Sequence, residues 1–148
     1  MKNFLEFLSD KDRDTLLRHA ERQLHRPGTV ILAEGTRSQA LYFIRGGEVR
    51  IERQFGPQTI ELARLGEGDV FGDMSFVDGE PASATVVAGT EVQTDRVSAP
   101  ILKEIIKKDV LFYGRFYHAL ARTLSWRLRS ATKPPSPTPS GKWDTLDE

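Results

Sequence analysis

Apolar residues fall at Phe4, Leu5, Phe7 and Leu8 and again at Leu16, Leu17 and Ala20, spacings that predict helix from residue 2 to about 24. Within that span Ser9-Asp10-Lys11-Asp12 offers a second helix start. Ser9 can cap the first turn while Asp12, three positions on, completes a capping box. The pattern changes at Pro27. Turn signals follow at Pro27-Gly28, Gly35, Gly46-Gly47, Gly56-Pro57, Gly66-Glu67-Gly68, Asp78-Gly79 and Gly89. They are mostly about 8–12 residues apart, the rhythm of short antiparallel strands in a sandwich or barrel. Strand-like segments lie between them: Val30-Ile31-Leu32, Leu41 to Ile44, Val49 and Ile51 alternating with Arg50 and Glu52, Ile60 and Leu62 around Glu61, and Thr85-Val86-Val87. The alternating segments should turn their apolar side chains to a core and their polar ones to water.

Helix returns after Ser98, an N-cap with Pro100 tolerated in the first turn, and covers Ile101, Leu102, Ile105 and Ile106. A longer helix is predicted from Asp109 to about Ala131. Phe112, Phe116, Ala119, Thr123 and Trp126 follow a 4-3-4-3 spacing along it, and Tyr113, Tyr117, Leu120, Leu124 and Leu128 form a second stripe beside them. Two apolar stripes call for two partners. One is the rest of the chain; the other is expected to be the same helix of a second copy, giving a parallel homodimer seamed by Phe112, Phe116, Ala119, Thr123 and Trp126. The alternative is that both stripes sit in one monomer core. Residues 132–148 hold Pro134, Pro135, Pro137 and Pro139, half of the eight prolines, and read as an extended or disordered tail. The expected organisation is therefore one domain over 1–131 followed by that tail.

Composition narrows the chemistry. At 148 residues the chain is long enough to bury roughly 70% of its unfolded surface without staples. It has no cysteine, which excludes disulfides and thiol chemistry, and its three histidines, His19, His25 and His118, are too scattered for a local metal motif. Lys+Arg and Asp+Glu balance at 21 each, so no global field favours nucleic acid or an anionic membrane. No apolar run approaches a spanning length, and the N-terminus, with Glu6 inside its apolar run, does not read as a signal peptide; a cytoplasmic location is expected.

One stretch breaks the strand rhythm: Phe71-Gly72-Asp73-Met74-Ser75-Phe76-Val77-Asp78-Gly79-Glu80-Pro81-Ala82-Ser83-Ala84-Thr85. A strand ends at Phe71-Gly72, a short helical turn starts near Asp73, and Pro81 leads back into a strand. Glycine before a helical turn leaves backbone N–H groups open to an anion, with the hydroxyls of Ser83 and Thr85 just beyond. This stretch resembles the phosphate-binding cassette of the cyclic-nucleotide-binding domain family, written Phe-Gly-Glu, about eight residues, then Pro-Arg-x-Ala-Thr-Val. The resemblance extends over roughly residues 4–130. It takes in Phe7-Leu8-Ser9-Asp10, the turns at Pro27-Gly28 and Glu34-Gly35, Leu41 to Val49, and the helix around Leu120–Arg129. It implies an α+β fold: an eight-stranded antiparallel β-roll (jelly-roll-like) with N-terminal helices, a short cassette helix and two C-terminal helices. It also implies cAMP or cGMP as ligand, held by Phe71, Gly72, Asp73, Met74, Ser75, Ala82, Ser83 and Thr85, with no cofactor or metal.

Two positions depart from the family pattern. Asp73 stands where an acid, usually Glu, binds the ribose 2′-hydroxyl, and is one methylene shorter; it either reaches the ribose or only caps the cassette helix. Ala82 stands where the family carries the arginine that neutralises the cyclic phosphate. Losing such a charge-assisted bond costs about 1.5–3 kcal/mol, or about 10- to 100-fold in affinity. Arg64 or Arg50 could enter from another strand or simply be solvated, and Thr123 and Ser125 are candidates for base selectivity.

Other classes are weaker. No room is left after Ala131 for a helix-turn-helix, so the basic run Arg115, Arg122, Arg127, Arg129 and Lys133 is not expected to read DNA. A metal-holding roll enzyme would need clustered His and carboxylates, and no nucleophile–base pair is legible. Two readings remain. One is a small regulatory sensor that binds a cyclic nucleotide weakly or with altered selectivity and signals through its C-terminal helices to a protein partner. The other is a degenerate dimeric interaction module that binds none.

Overall fold

The computed structural model describes residues 4–37 and 39–132. A 3₁₀ turn at Phe4–Phe7 precedes helix α1 (Asp10–Leu17), after which come eight strands: β1 (Glu21–His25), β2 (Val30–Leu32), β3 (Ala40–Gly46), β4 (Val49–Phe55), β5 (Gln58–Leu65), β6 (Val70–Phe71), β7 (Thr85–Ala88) and β8 (Val92–Ser98). Helix α2 (Asp73–Asp78) lies between β6 and β7, and α3 (Ala99–Lys108) and α4 (Val110–Ala131) close the chain. The strands form two four-stranded antiparallel sheets, β1-β8-β3-β6 and β2-β7-β4-β5. This is the α+β roll with helices that the resemblance implies. Apart from Thr132, the tail expected over 132–148 lies outside the described residues.

Two cores explain the arrangement, and β3 belongs to both. Leu41 and Phe43 face the helices, in a cluster with Phe4, Leu16, Leu102, Phe112 and Phe116. Ala40, Tyr42 and Ile44 face the inside of the roll with Leu32, Val49, Phe71, Val86 and Val92. Because both faces are covered, β3 reads as a continuous apolar run rather than an alternation. Capping fixes the start of α4, where the Asp109 carboxylate accepts from the Phe112 N–H at 3.1 Å.

Four expectations are corrected. Residues 21–24 are strand, not the end of a helix: β1 pairs with β8 from Glu21↔Arg96 to His25↔Val92, and that ladder outweighs local helix preference. The capping box is half formed. Ser9 Oγ accepts from the Asp12 N–H at 3.1 Å, but the buried Asp12 carboxylate turns away to Arg115 of α4, with Oδ2···Nε 2.7 Å and Oδ1···Nη2 3.1 Å. In β5 the faces are opposite to those expected. Ile60 and Leu62 are 42% and 52% exposed, while half-buried Leu65 and the more open Ala63 line the cavity described below. Finally, the α4 stripe assigned to a dimer is intramolecular. Phe112, Phe116, Ala119 and Thr123 are buried within the one chain and Trp126 is half-buried. The Phe116 ring packs on Phe4 (centroids 5.5 Å apart), Phe112 (5.8 Å) and Phe76 (6.1 Å).

Candidate ligand-binding site

The cassette bounds a cavity of about 200 Å³ inside the roll. Leu32 of β2, Ile51 of β4, Ala63 and Leu65 of β5 and Val86 of β7 give it an apolar floor. Phe71 to Ser75 and Ala82 to Ala84 form the cassette side, and Arg127 of α4 closes it. The register of the hairpin sets the floor, since Ile51 lies opposite Ala63 and both turn inward.

Local geometry places the cassette. Phe71 stacks on Tyr42, centroids 4.8 Å apart and planes 4° from parallel, which anchors the end of β6. Gly72 then takes φ +81°, and a Cβ there would lie 2.5 Å from the Ala40 carbonyl oxygen, so only glycine lets the chain turn this close to β3. Helix α2 starts at Asp73 and ends at Gly79, whose N–H donates to the Ser75 carbonyl at 2.9 Å. Past Pro81, Ala82 is pinned by backbone alone: its N–H donates to Thr36 O and its carbonyl accepts from the Gly35 N–H, both at 2.8 Å. The side chain that reaches the cavity from this position is a methyl group.

Phe71, Gly72, Asp73, Met74, Ser75, Ala82 and Ser83 are brought together around the cavity as the cassette pattern implies. Thr85 is not among its lining residues. Its neighbours Ala84, just before β7, and Val86 on β7 line the cavity instead, and the Thr85 hydroxyl accepts from the Glu34 N–H at 3.0 Å. The two arginines considered from sequence stay outside: Arg50 pairs with Glu52 at 3.0 Å, and Arg64 with Glu48 at 3.1 Å and Glu61 at 3.2 Å. Those two carboxylates raise the Arg64 pKa, and the guanidinium stays charged on the surface. The base-selectivity candidates also lie elsewhere. Thr123 donates its hydroxyl to the Ala119 carbonyl at 3.0 Å, and Ser125 is exposed on a groove with Phe7, His118 and Arg122.

Sequence reasoning missed Arg127, which it left in a solvated basic run. Its Nη1 donates to the Asp73 carboxylate at 3.1 Å (Oδ2) and 3.5 Å (Oδ1), and its Nη2 donates to the Val70 carbonyl. The Asp73 side chain is 4% exposed and that of Arg127 30%, so a buried carboxylate is paired with a half-buried guanidinium. A usable signal was present: Phe116, Leu120, Thr123 and Arg127 run 4-3-4 along one face of α4, so Arg127 continues the buried stripe. Among the described residues, Asp73 and Arg127 are the only charged groups lining the cavity. Among the described residues no cluster of three His, Asp or Glu could hold a metal ion, and no helix is long and apolar enough to cross a membrane.

Residues 22–109, more than half of the chain, match the cyclic nucleotide-binding domain family. The cyclic AMP receptor protein of Thermus thermophilus is 34% identical over 84% of this chain and 56% of its own length. The crystal structure of the Thermus thermophilus catabolite activator protein superposes with a TM-score of 0.74 at 32% identity, over 86% of this chain and 59% of that one. A regulatory subunit of a cAMP-independent protein kinase A from Trypanosoma brucei shares the fold with a TM-score of 0.70 at 21% identity, over 97% of this chain and 46% of that one. The chain belongs to the cyclic nucleotide-binding domain family. It spans somewhat more than half the length of the Thermus proteins it matches.

Proposed function

We propose that this chain is a cytoplasmic regulatory module, not an enzyme, that binds a cyclic nucleotide (cAMP or cGMP) at the cassette cavity with micromolar or weaker affinity and passes occupancy to its C-terminal helices. One observation carries the reading: the cavity wall is shared between the cassette and α4 through the Asp73–Arg127 pair, so whatever enters acts on α4 directly. Weak binding follows from Ala82, which brings no cation from the cassette to a phosphate. It follows also from size. About 200 Å³ is below the usual range of roughly 300–1,000 Å³ for small-molecule pockets, so the cavity surrounds a nucleotide only in part. Titration calorimetry with cAMP and cGMP tests this, with a dissociation constant in the micromolar range or above expected for at least one of them. Nanomolar binding contradicts the weak-affinity part; no binding of either at millimolar concentration leaves the second reading, an interaction module independent of nucleotide. That reading is supported by the same closed ion pair.

Pairing with a second copy belongs to the proposal, through a different face of α4 from the one first expected. Val110 and Leu111 are each 75% exposed, Tyr113 and Leu128 are exposed with them, and a Cβ on Gly114 would meet no atom within 4 Å. The output is then a protein partner that reads the position of α4.

A further inference from the structure

We infer that Arg127 is the anion-binding residue of this site: the cation that meets the ligand's phosphate comes from α4, not from the cassette. The inference rests on the cyclic-nucleotide reading and deepens it. Among the described residues the cavity is lined by one cation, and it belongs to α4. Its guanidinium is already oriented there by two anchors, the Asp73 carboxylate and the Val70 carbonyl. Those anchors engage Nη1 and Nη2, while Nε–H has no partner among the described residues. A guanidinium carries five N–H donors in a fixed fork, so it can take an anion while keeping part of its bond to Asp73.

The charges fit one ligand class. Asp73 and Arg127 neutralise each other across the cavity wall. A monoanion that also carries a hydroxyl beside its phosphate satisfies both: the hydroxyl donates to the Asp73 carboxylate, and the phosphate oxygens accept from Arg127. A neutral nucleoside would satisfy Asp73 alone. Because Arg127 sits in the last third of α4, the residue that detects the anion is also the residue that moves with that helix.

The probes are cAMP and adenosine, its uncharged counterpart, titrated calorimetrically into the full chain. The wild type should prefer cAMP by about tenfold or more, the weight of one charge-assisted contact. Arg127→Gln should bring the ratio to about one while leaving adenosine within about threefold, and Arg127→Lys should fall between. Arg127→Gln leaves the Asp73 carboxylate without its partner, so the double variant Asp73→Asn/Arg127→Gln serves where the single one does not fold; its ratio should also be about one. Asp73→Asn alone should keep the preference. An unchanged ratio in Arg127→Gln, or tighter cAMP binding there, overturns the inference, the latter by making Arg127 a competitor of the ligand. If Ala82→Arg binds cAMP and the wild type does not, the site stands and the role of Arg127 is refuted. If none of these proteins binds cAMP, the cyclic-nucleotide reading falls and the inference with it.

Discussion

Replacing Phe116 separates the two ways in which α4 can use its aromatic stripe. The ring is fully buried among Phe4, Phe112, Phe76 and Tyr117, the last with centroids 5.3 Å apart, all within one chain. Phe116→Ala should cost about 3–5 kcal/mol, the range for emptying an aromatic site in a packed core. Edge-to-face contacts worth about 0.5–1.5 kcal/mol each are part of that sum and not additional to it. Against a total stability of about 5–15 kcal/mol the loss is large. With a urea slope of about 2 kcal/mol/M it moves the midpoint down by about 1.5–2.5 M. Phe116→Glu should fail to fold, since the carboxylate would enter the core of the monomer itself. Urea melts of wild type and Phe116→Ala, each at two protein concentrations tenfold apart, provide the assay. A loss below about 1 kcal/mol, accompanied by conversion of a dimer to a folded monomer, would refute the reasoning and return the stripe to an intermolecular role.

Further outcomes follow from other parts of the molecule. Ala82→Arg should tighten cAMP at least about tenfold by calorimetry, because it adds a second cation, from the cassette, to the phosphate. Burial lowers the pKa of His25, whose Nε2 lies 3.0 Å from the buried Thr94 hydroxyl. The folded state therefore prefers the neutral ring. That stability is complete above the unfolded pKa of about 6.5 and is lost as the pH falls through it toward the lower folded value. His25→Gln should flatten the stability profile between about pH 7 and pH 5 in chemical denaturation. Light scattering at tens of micromolar should give a dimer that Leu128→Glu converts to monomer; a monomeric wild type removes the pairing.

Much of this fold was legible because local chemistry and global packing agree. The turns at Pro27-Gly28 and Gly66-Glu67-Gly68 fall between strands, Gly46-Gly47 stands at the end of β3, and Ser98 and Asp109 are the N-caps of α3 and α4. The misses share one cause: tertiary partners that the local pattern does not encode. Glu21–His25 carries a polar sequence that becomes a strand only because β8 supplies its ladder, and β8 itself hides its rhythm behind Gln93, Thr94, Asp95 and Arg96. Asp95 is buried with Arg45 at 3.6 Å, which no alternation of apolar residues could signal. In β5 the inward face is marked by Ala63 and Leu65, weaker apolar signals than Ile60 and Leu62 on the open side. At the site, the cassette was visible because its glycines, proline and small residues serve backbone geometry and stand in one short segment. Arg127 was not visible, because its contact with Asp73 bridges 54 residues of chain.

Hydrogen exchange on the full chain with and without saturating cAMP decides whether occupancy of the cassette reaches the helices. The inner strands β3 and β4 are held by ladders on both sides, whereas α4 is joined to the rest of the chain by its packed apolar face and two side-chain ion pairs, Arg115 on Asp12 and Arg127 on Asp73. A ligand that takes over the second ion pair shifts the helices by its differential affinity for the two arrangements. Protection should therefore change more in residues 98–130 than in β3 and β4, residues 41–52. Changes confined to residues 71–85, or no change at all, would contradict a sensor that speaks through its C-terminal helices.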